Sequence, residues 1–224
     1  MTRRRGDPFA FDNPDEKGEV LAVVTTPGRG SLLLHASKRL RGDYDVVLAA
    51  VTSGNSGDVL QYASTSCCGN RELVLAAVRE NGVSLEHATR ALQSDRDIAF
   101  AAVDNDPEAL YWVSEDLRDD DALILTALDA RASSLRHASR RARDANDVVI
   151  AALRAAKSQA TAYTDGELVI AVLDAASDRA RLDPEVVEAA GGTTFLVRVV
   201  TRRAKQRERE RAKRDGVAGA TTAW

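Results

Sequence analysis

Three histidines, an adjacent cysteine pair, a knot of carboxylates and a run of arginines are the residues of this chain that could do chemistry. His35, His87 and His137 are the natural metal ligands, yet each follows a leucine by two positions (Leu33, Leu85, Leu135). Tyr62 and Trp112 stand at the same place after Leu60 and Leu110. One position that accepts His, Tyr or Trp asks for a flat, partly polar ring at a helix interface. Neighbouring helices lie about 8–10 Å apart, so His35 and His87, two repeats apart, are expected beyond the reach of one zinc ion, which holds nitrogen at about 2.0–2.1 Å. No metal site is expected.

Cys67 and Cys68 have no basic residue nearby on their N-terminal side and read as small buried hydrophobes. Glu115, Asp116, Asp119, Asp120 and Asp121 lack the alternating oxygen ligands and central glycine of a calcium loop. No Walker loop, Gly-x-Gly-x-x-Gly, His-Glu-x-x-His or Gly-x-Ser-x-Gly appears. Neither a catalytic residue nor a cofactor is assigned, and the chain is expected not to be an enzyme. What remains is the basic run Arg202, Arg203, Lys205, Arg207, Arg209, Arg211, Lys213 and Arg214, a candidate contact for phosphates or a partner. It carries net +6 after Glu208 and Glu210, so a formal charge of −3 conceals −9 on the rest of the chain. No aromatic is interleaved for base stacking, and alternating charges on a helix are commonly a solvated face.

The elements that hold these residues repeat. Asp43-Tyr44-Asp45-Val46-Val47-Leu48-Ala49-Ala50-Val51 returns as Asn70-Arg71-Glu72-Leu73-Val74-Leu75-Ala76-Ala77-Val78. Leu60-Gln61-Tyr62-Ala63-Ser64 returns as Leu85-Glu86-His87-Ala88-Thr89. Aligned on the last apolar residue, the first helices end at Val24, Val51, Val78, Val103, Leu128, Leu153 and Leu173, with a period of 25–27 that shortens to 20 at the last. Eight residues upstream stand Glu16, Asp43, Asn70, Asp95, Asp120, Ala145 and Asp165; Asp and Asn there are natural N-caps. Asp45, Glu72, Asp97, Asp147 and Glu167 follow two positions on, where the helix dipole favours negative charge. The acidity of the body is thereby explained by capping. The second phrase, with Leu and Ala three residues apart, reads as a second helix, and each repeat as two helices of about ten residues. Helices so short draw their stability from stacking.

The phrases Asn70 to Gly82 and Leu60 to Ser64 resemble the repeat of the domain of unknown function 4116 family, over roughly residues 19 to 155. The resemblance implies a tandem helical array and carries no functional residues with it. The insert Ser53 to Gly57, Cys67-Cys68 and the chain beyond Leu153 depart from its pattern.

The reading is an all-α chain: an α-solenoid of about five to six two-helix repeats, right-handed by analogy. Residues 1–18 form a flexible N-terminal arm, 19–155 the array, 156–192 divergent capping helices, 193–214 an amphipathic-to-charged helix (apolar at Phe195, Leu196, Val199 and Val200), and 215–224 a flexible tail. Aromatics are only 4%, so the core must be Val, Leu, Ile and Ala. No run reaches the roughly 18 apolar residues of a membrane span, and Val20 to Val24 is too short for a signal-peptide core. A cytoplasmic, non-enzymatic scaffold binding a protein partner is expected; a nucleic-acid-associated protein using the basic run is the alternative, and an enzyme the second.

Overall fold

An acidic or amide side chain closes the first turn of nearly every long helix, and those caps set the architecture. The computed structural model describes residues 11–54, 58–160 and 165–192; the described residues form helices and turns without strands. The long helices are α1 (Lys17–Val24), α2 (Tyr44–Thr52), α3 (Arg71–Glu80), α4 (Arg96–Asn105), α5 (Asp121–Ala130) and α6 (Asn146–Gln159). Then come α7 (Asp165–Ala175) and α8 (Pro184–Ala190). Glu16, Asp43, Asn70, Asp95, Asp120 and Asp183 each accept from a backbone N–H of the first turn, as expected for caps. Ala145 caps nothing. Gly191, left-handed at φ 114°, ends α8.

The second half of the repeat differs from the expected ten-residue helix. It begins as a 3-10 run: Gly30–His35, Leu60–Tyr62, Gly82–His87, Pro107–Tyr111 and Ala132–His137. In the four copies ending Ala-Ser or Ala-Thr the chain then extends, with ψ of 157°, 162°, 152° and 162° at Ala36, Ala63, Ala88 and Ala138. A short helical turn follows: Leu40–Gly42, Thr65–Cys68, Arg90–Gln93, Leu117–Asp119, Arg140–Asp144 and Asp178–Leu182. In four copies a hydroxyl caps the new turn, whereas Thr89 is extended at ψ 153° without a side-chain cap bond. Ser37, Ser64, Ser139 and Ser177 accept from the backbone N–H three residues on, so each starts a new turn instead of continuing the old one.

Its backbone N–H turns outward to the preceding repeat. Ser37, Ser64, Thr89, Ser114, Ser139 and Ser177 donate to the carbonyls of Pro14, Arg41, Cys68, Gln93, Arg118 and Arg143, at 2.8–3.0 Å. Every acceptor lies two residues before a long-helix cap position, giving a rung between each pair of neighbouring repeats. Two layers stack on their own kind throughout, long helix on long helix and 3-10 run on 3-10 run, and short turns meet between Leu40–Gly42 and Thr65–Cys68 and between Arg140–Asp144 and Asp178–Leu182.

This ladder corrects the register of α7. The segment Asp165 to Leu173 reads in sequence as another first helix, but α7 packs on the 3-10 run Ala132–His137 and on α6, taking the place of a 3-10 run. The long-helix layer continues with α8, which packs on α6. Leu173-Asp174-Ala175-Ala176-Ser177 is the repeat's closing phrase with alanine in the ring position, and Ser177 stands six residues before the cap Asp183, the spacing of every other copy.

Leu33, Leu60, Leu85, Leu110 and Leu135 are fully buried, and so are Val46, Val47, Leu73, Val74, Ile98 and Ala99 on the long helices. The core passes from one repeat to the next through α5, whose Leu123 and Ala127 face back while Ile124 and Leu128 face forward. At the N-terminal end Phe11 is buried, Asp12 and Asn13 donate their N–H groups to Glu19, and the chain is seated from there onward. Residues 1–10 of the expected arm lie outside the described residues.

Candidate functional site

Two of the three histidines are spent on their neighbours, and His35 is exposed. His87 Nε2 lies 2.6 Å from Asp58 Oδ2, and His137 Nε2 lies 3.0 Å from Glu108 Oε2. In both pairs the carboxylate sits two residues before the leucine of the preceding phrase, so the ring position reaches back across one repeat junction. Glu108 also receives Arg131 at 3.0 Å and Arg136. Burial pushes its carboxyl up, but the bonds from Arg136, His137 and Arg131 outweigh that and hold it below its ordinary value. Tyr111 adds edge-on contacts to Trp112 and His137, with ring centres 4.7 and 5.4 Å away. Among the described residues no group of three or more His, Cys, Asp or Glu stands where it could hold a metal ion.

Cys67 and Cys68 are unpaired and buried. The Cys68 thiol donates to the Leu60 carbonyl at 3.6 Å, and burial pushes its pKa up. A thiol held protonated is a poor nucleophile, so the open groove of about 360 Å³ beside it, where Thr65, His87 and Arg90 also lie, holds no activated sulfur.

The acidic positions do two jobs at once. Besides capping α2, α4 and α5, Asp43, Asp95 and Asp120 pair with the first residue of the preceding long helix: Lys17 at 2.8 Å, Arg71 at 2.9 Å and Arg96 at 3.0 Å. The Arg71 and Arg96 partners hold the Asp95 and Asp120 carboxyls below the usual range. Where the first residue is Tyr44, the next cap is the neutral Asn70, and Tyr44 donates to Glu72 at 3.0 Å instead. Where it is Asp121, the next cap position is Ala145. Asp119 of the acidic knot accepts from Ser139 and Arg141, and Asp121 pairs with Arg141 at 2.8 Å. These carboxylates are joints of the array.

What the array leaves open is the outer face of the long helices. Five residues after each cap stands an apolar side chain: Leu21, Leu48, Leu75, Phe100, Leu125 and Ile150. All are half-buried except Leu125, which is 41% exposed. Arg96 lies over the Phe100 ring at 4.8 Å. Four residues further on, on the same helix face, come Thr25, Thr52, Arg79, Asp104, Asp129 and Arg154. The column ends at α8, where Glu188 takes the apolar place. There a groove of about 650 Å³ opens between α6 and α8, lined by Ile150, Arg154, Lys157, Pro184, Glu188 and Ala189. Sequence reading missed this column because it looked for reactive groups; the signal was an apolar residue three before each anchor.

The basic residues Arg202 to Arg214 lie outside the described residues. Among those described, no helix is long and apolar enough to cross a membrane. Residues 54–93 and 95–141 each match the family model described as Domain of unknown function (DUF4116). No curated protein and no solved structure matches the chain.

Proposed function

From a chain whose residues 54–93 and 95–141 match the DUF4116 family model, we propose a non-enzymatic scaffold that binds a protein partner along the outer face of its long helices. The array is read as a right-handed α-solenoid of six repeats, with α8 opening a seventh. The observation that supports this function is the column Leu21, Leu48, Leu75, Phe100, Leu125 and Ile150: six stacked helices place an apolar side chain at one position and leave it part-exposed. Stacked repeats build extended surfaces of this kind, and an apolar strip rimmed by charge suits burial against another protein. Full-length chain carrying Leu75→Glu with Leu125→Glu, used as bait in its native cell, is expected to lose the partner captured by the wild type while keeping its circular dichroism. Undiminished capture refutes the surface. Tight, salt-sensitive binding of RNA or DNA near 150 mM salt, lost on truncation after Thr201, refutes the function in favour of nucleic acid.

A further inference from the structure

We infer, resting on the reading of the column as a binding surface, that its occupant is a second copy of this chain, docked about a two-fold axis parallel to the long helices and midway between α3 and α4. The long helices run side by side in one direction. Their first turns pair across repeats, Arg71 with Asp95 and Arg96 with Asp120, and at the other end Asn105 donates to the Arg79 carbonyl. The position four residues past the apolar column therefore makes a row of its own, reading Thr25, Thr52, Arg79, Asp104, Asp129, Arg154 from α1 to α6. All six are exposed, and none of the four charged side chains forms an ion pair among the described residues. A two-fold axis between α3 and α4 reverses the order of the row, so α3 meets α4, α2 meets α5 and α1 meets α6 of the second copy. Arg79 of each copy then faces Asp104 of the other, while Asp129 faces Thr52 and Arg154 faces Thr25. In the apolar column Leu75 meets Phe100 and Leu48 meets Leu125.

The register that overlaps all six helices is thus one in which unlike charges meet. Moving the axis onto α3 sets Arg79 against itself, and moving it onto α4 does the same for Asp104. An axis along the stack turns one copy end for end, which sets Arg79 against Arg71 and Asp129 against Asp121. At the N-terminal edge of the chosen register Arg71 meets Arg96, and both are already neutralised by Asp95 and Asp120. The strip is about 40–50 Å long and about 12 Å wide, so two copies cover about 1,000 Å² in all, the lower bound for a specific interface. Exposed ion pairs add little affinity; here they fix the register, and the apolar column supplies the attraction.

Sedimentation equilibrium of the full chain, over about a hundredfold range of concentration, is expected to show a reversible monomer–dimer equilibrium. Arg79→Asp alone and Asp104→Arg alone each set like charges together at both contacts, and each should weaken the dimer about tenfold or more. An equal mixture of these two variants sets unlike charges together again, and should associate within about threefold of wild type. Circular dichroism should be the same for all of them. A monomer at every concentration, a dimer indifferent to the single reversals, or a mixture as weak as its components overturns the inference. Capture from the native cell separates the two readings. A monomer that loses a foreign protein on Leu75→Glu with Leu125→Glu keeps the binding surface and removes the second copy, whereas a monomer whose capture is undiminished removes both.

Discussion

Gly82→Ala tests how tightly the repeats are locked together. A β-carbon at Gly82 would stand 2.9 Å from Asp106 N and closer still to the Ala102 carbonyl oxygen. Both are backbone of the next repeat and cannot rotate away, so α4 has to move out. That shift also breaks a clamp: Gly82 N–H donates to Asn105 Oδ1 at 2.7 Å, and Asn105 Nδ2 donates to the Arg79 carbonyl at 2.8 Å. Overpacking costs about 1–3 kcal/mol and two hydrogen bonds add about 1 kcal/mol each. Lower entropy of the unfolded chain returns about 0.4–1 kcal/mol, since Gly82 does not use a left-handed φ. The expected net loss is about 2–5 kcal/mol, read from urea unfolding followed by circular dichroism. Gly69→Ala is the control, because its β-carbon would meet only Thr89 Cγ2 at 3.4 Å and carbonyls beyond that. A Gly82→Ala protein within about 0.5 kcal/mol of wild type would mean that the repeats are not in this close register.

Leu85→Ala should cost about 2–5 kcal/mol, since Leu85 is fully buried in the 3-10 layer; a loss under about 0.5 kcal/mol on the same urea curve contradicts the core assignment. Ala145→Asn should stabilise by about 0.5–2 kcal/mol, because Ala145 at φ −83°, ψ 118° already has the backbone of the cap Asp95 at φ −79°, ψ 119°; an unchanged thermal midpoint contradicts this. Acid sensitivity should fall in Asp95→Asn. Arg71 holds the Asp95 carboxyl below its ordinary 3.8 in the folded chain, so its contribution is complete above about pH 4 and drains away as pH falls through the lower folded value. Between about pH 4 and 2 the variant's thermal midpoint should drop less than that of wild type, and an equal drop removes Asp95 from the account.

The long-helix caps, the buried leucines and the shared ring position of the histidines were legible because each is a local preference repeated in phase. The 3-10 runs were not. Leu85 and Ala88 are three apart, which suits an α-helix as well as a 3-10 run, and the decisive bond leaves the repeat: Thr89 N–H donates to Cys68 O. A donor whose partner lies 21 residues back leaves no local pattern. The register of α7 failed for a related reason, because an apolar face of period 3.6 says that a helix is buried without saying in which layer. The fixed interval from hydroxyl to cap, Ser139 to Ala145 and Ser177 to Asp183, was the better guide. On the outer face, Leu75 and Leu125 carry the same apolar residue type as the core positions, and only their burial in the stack sets them apart.

The rungs also divide each repeat into a half that must keep its length and a half that need not. From hydroxyl to cap the count is six in every copy, from Ser37–Asp43 to Ser177–Asp183. From cap to the next hydroxyl it is 21, 21, 19, 19, 19 and then 32, where α7 replaces a 3-10 run and the rung from Ser177 to Arg143 still closes at 2.9 Å. Length variation is therefore confined to one flank of the molecule, where loop closure is entropically inexpensive. New sequence, whether acquired by evolution or grafted by design, has a natural port of entry between α6 and α7. A residue added between Ser114 and Asp120 would instead throw every later repeat out of step with its neighbour.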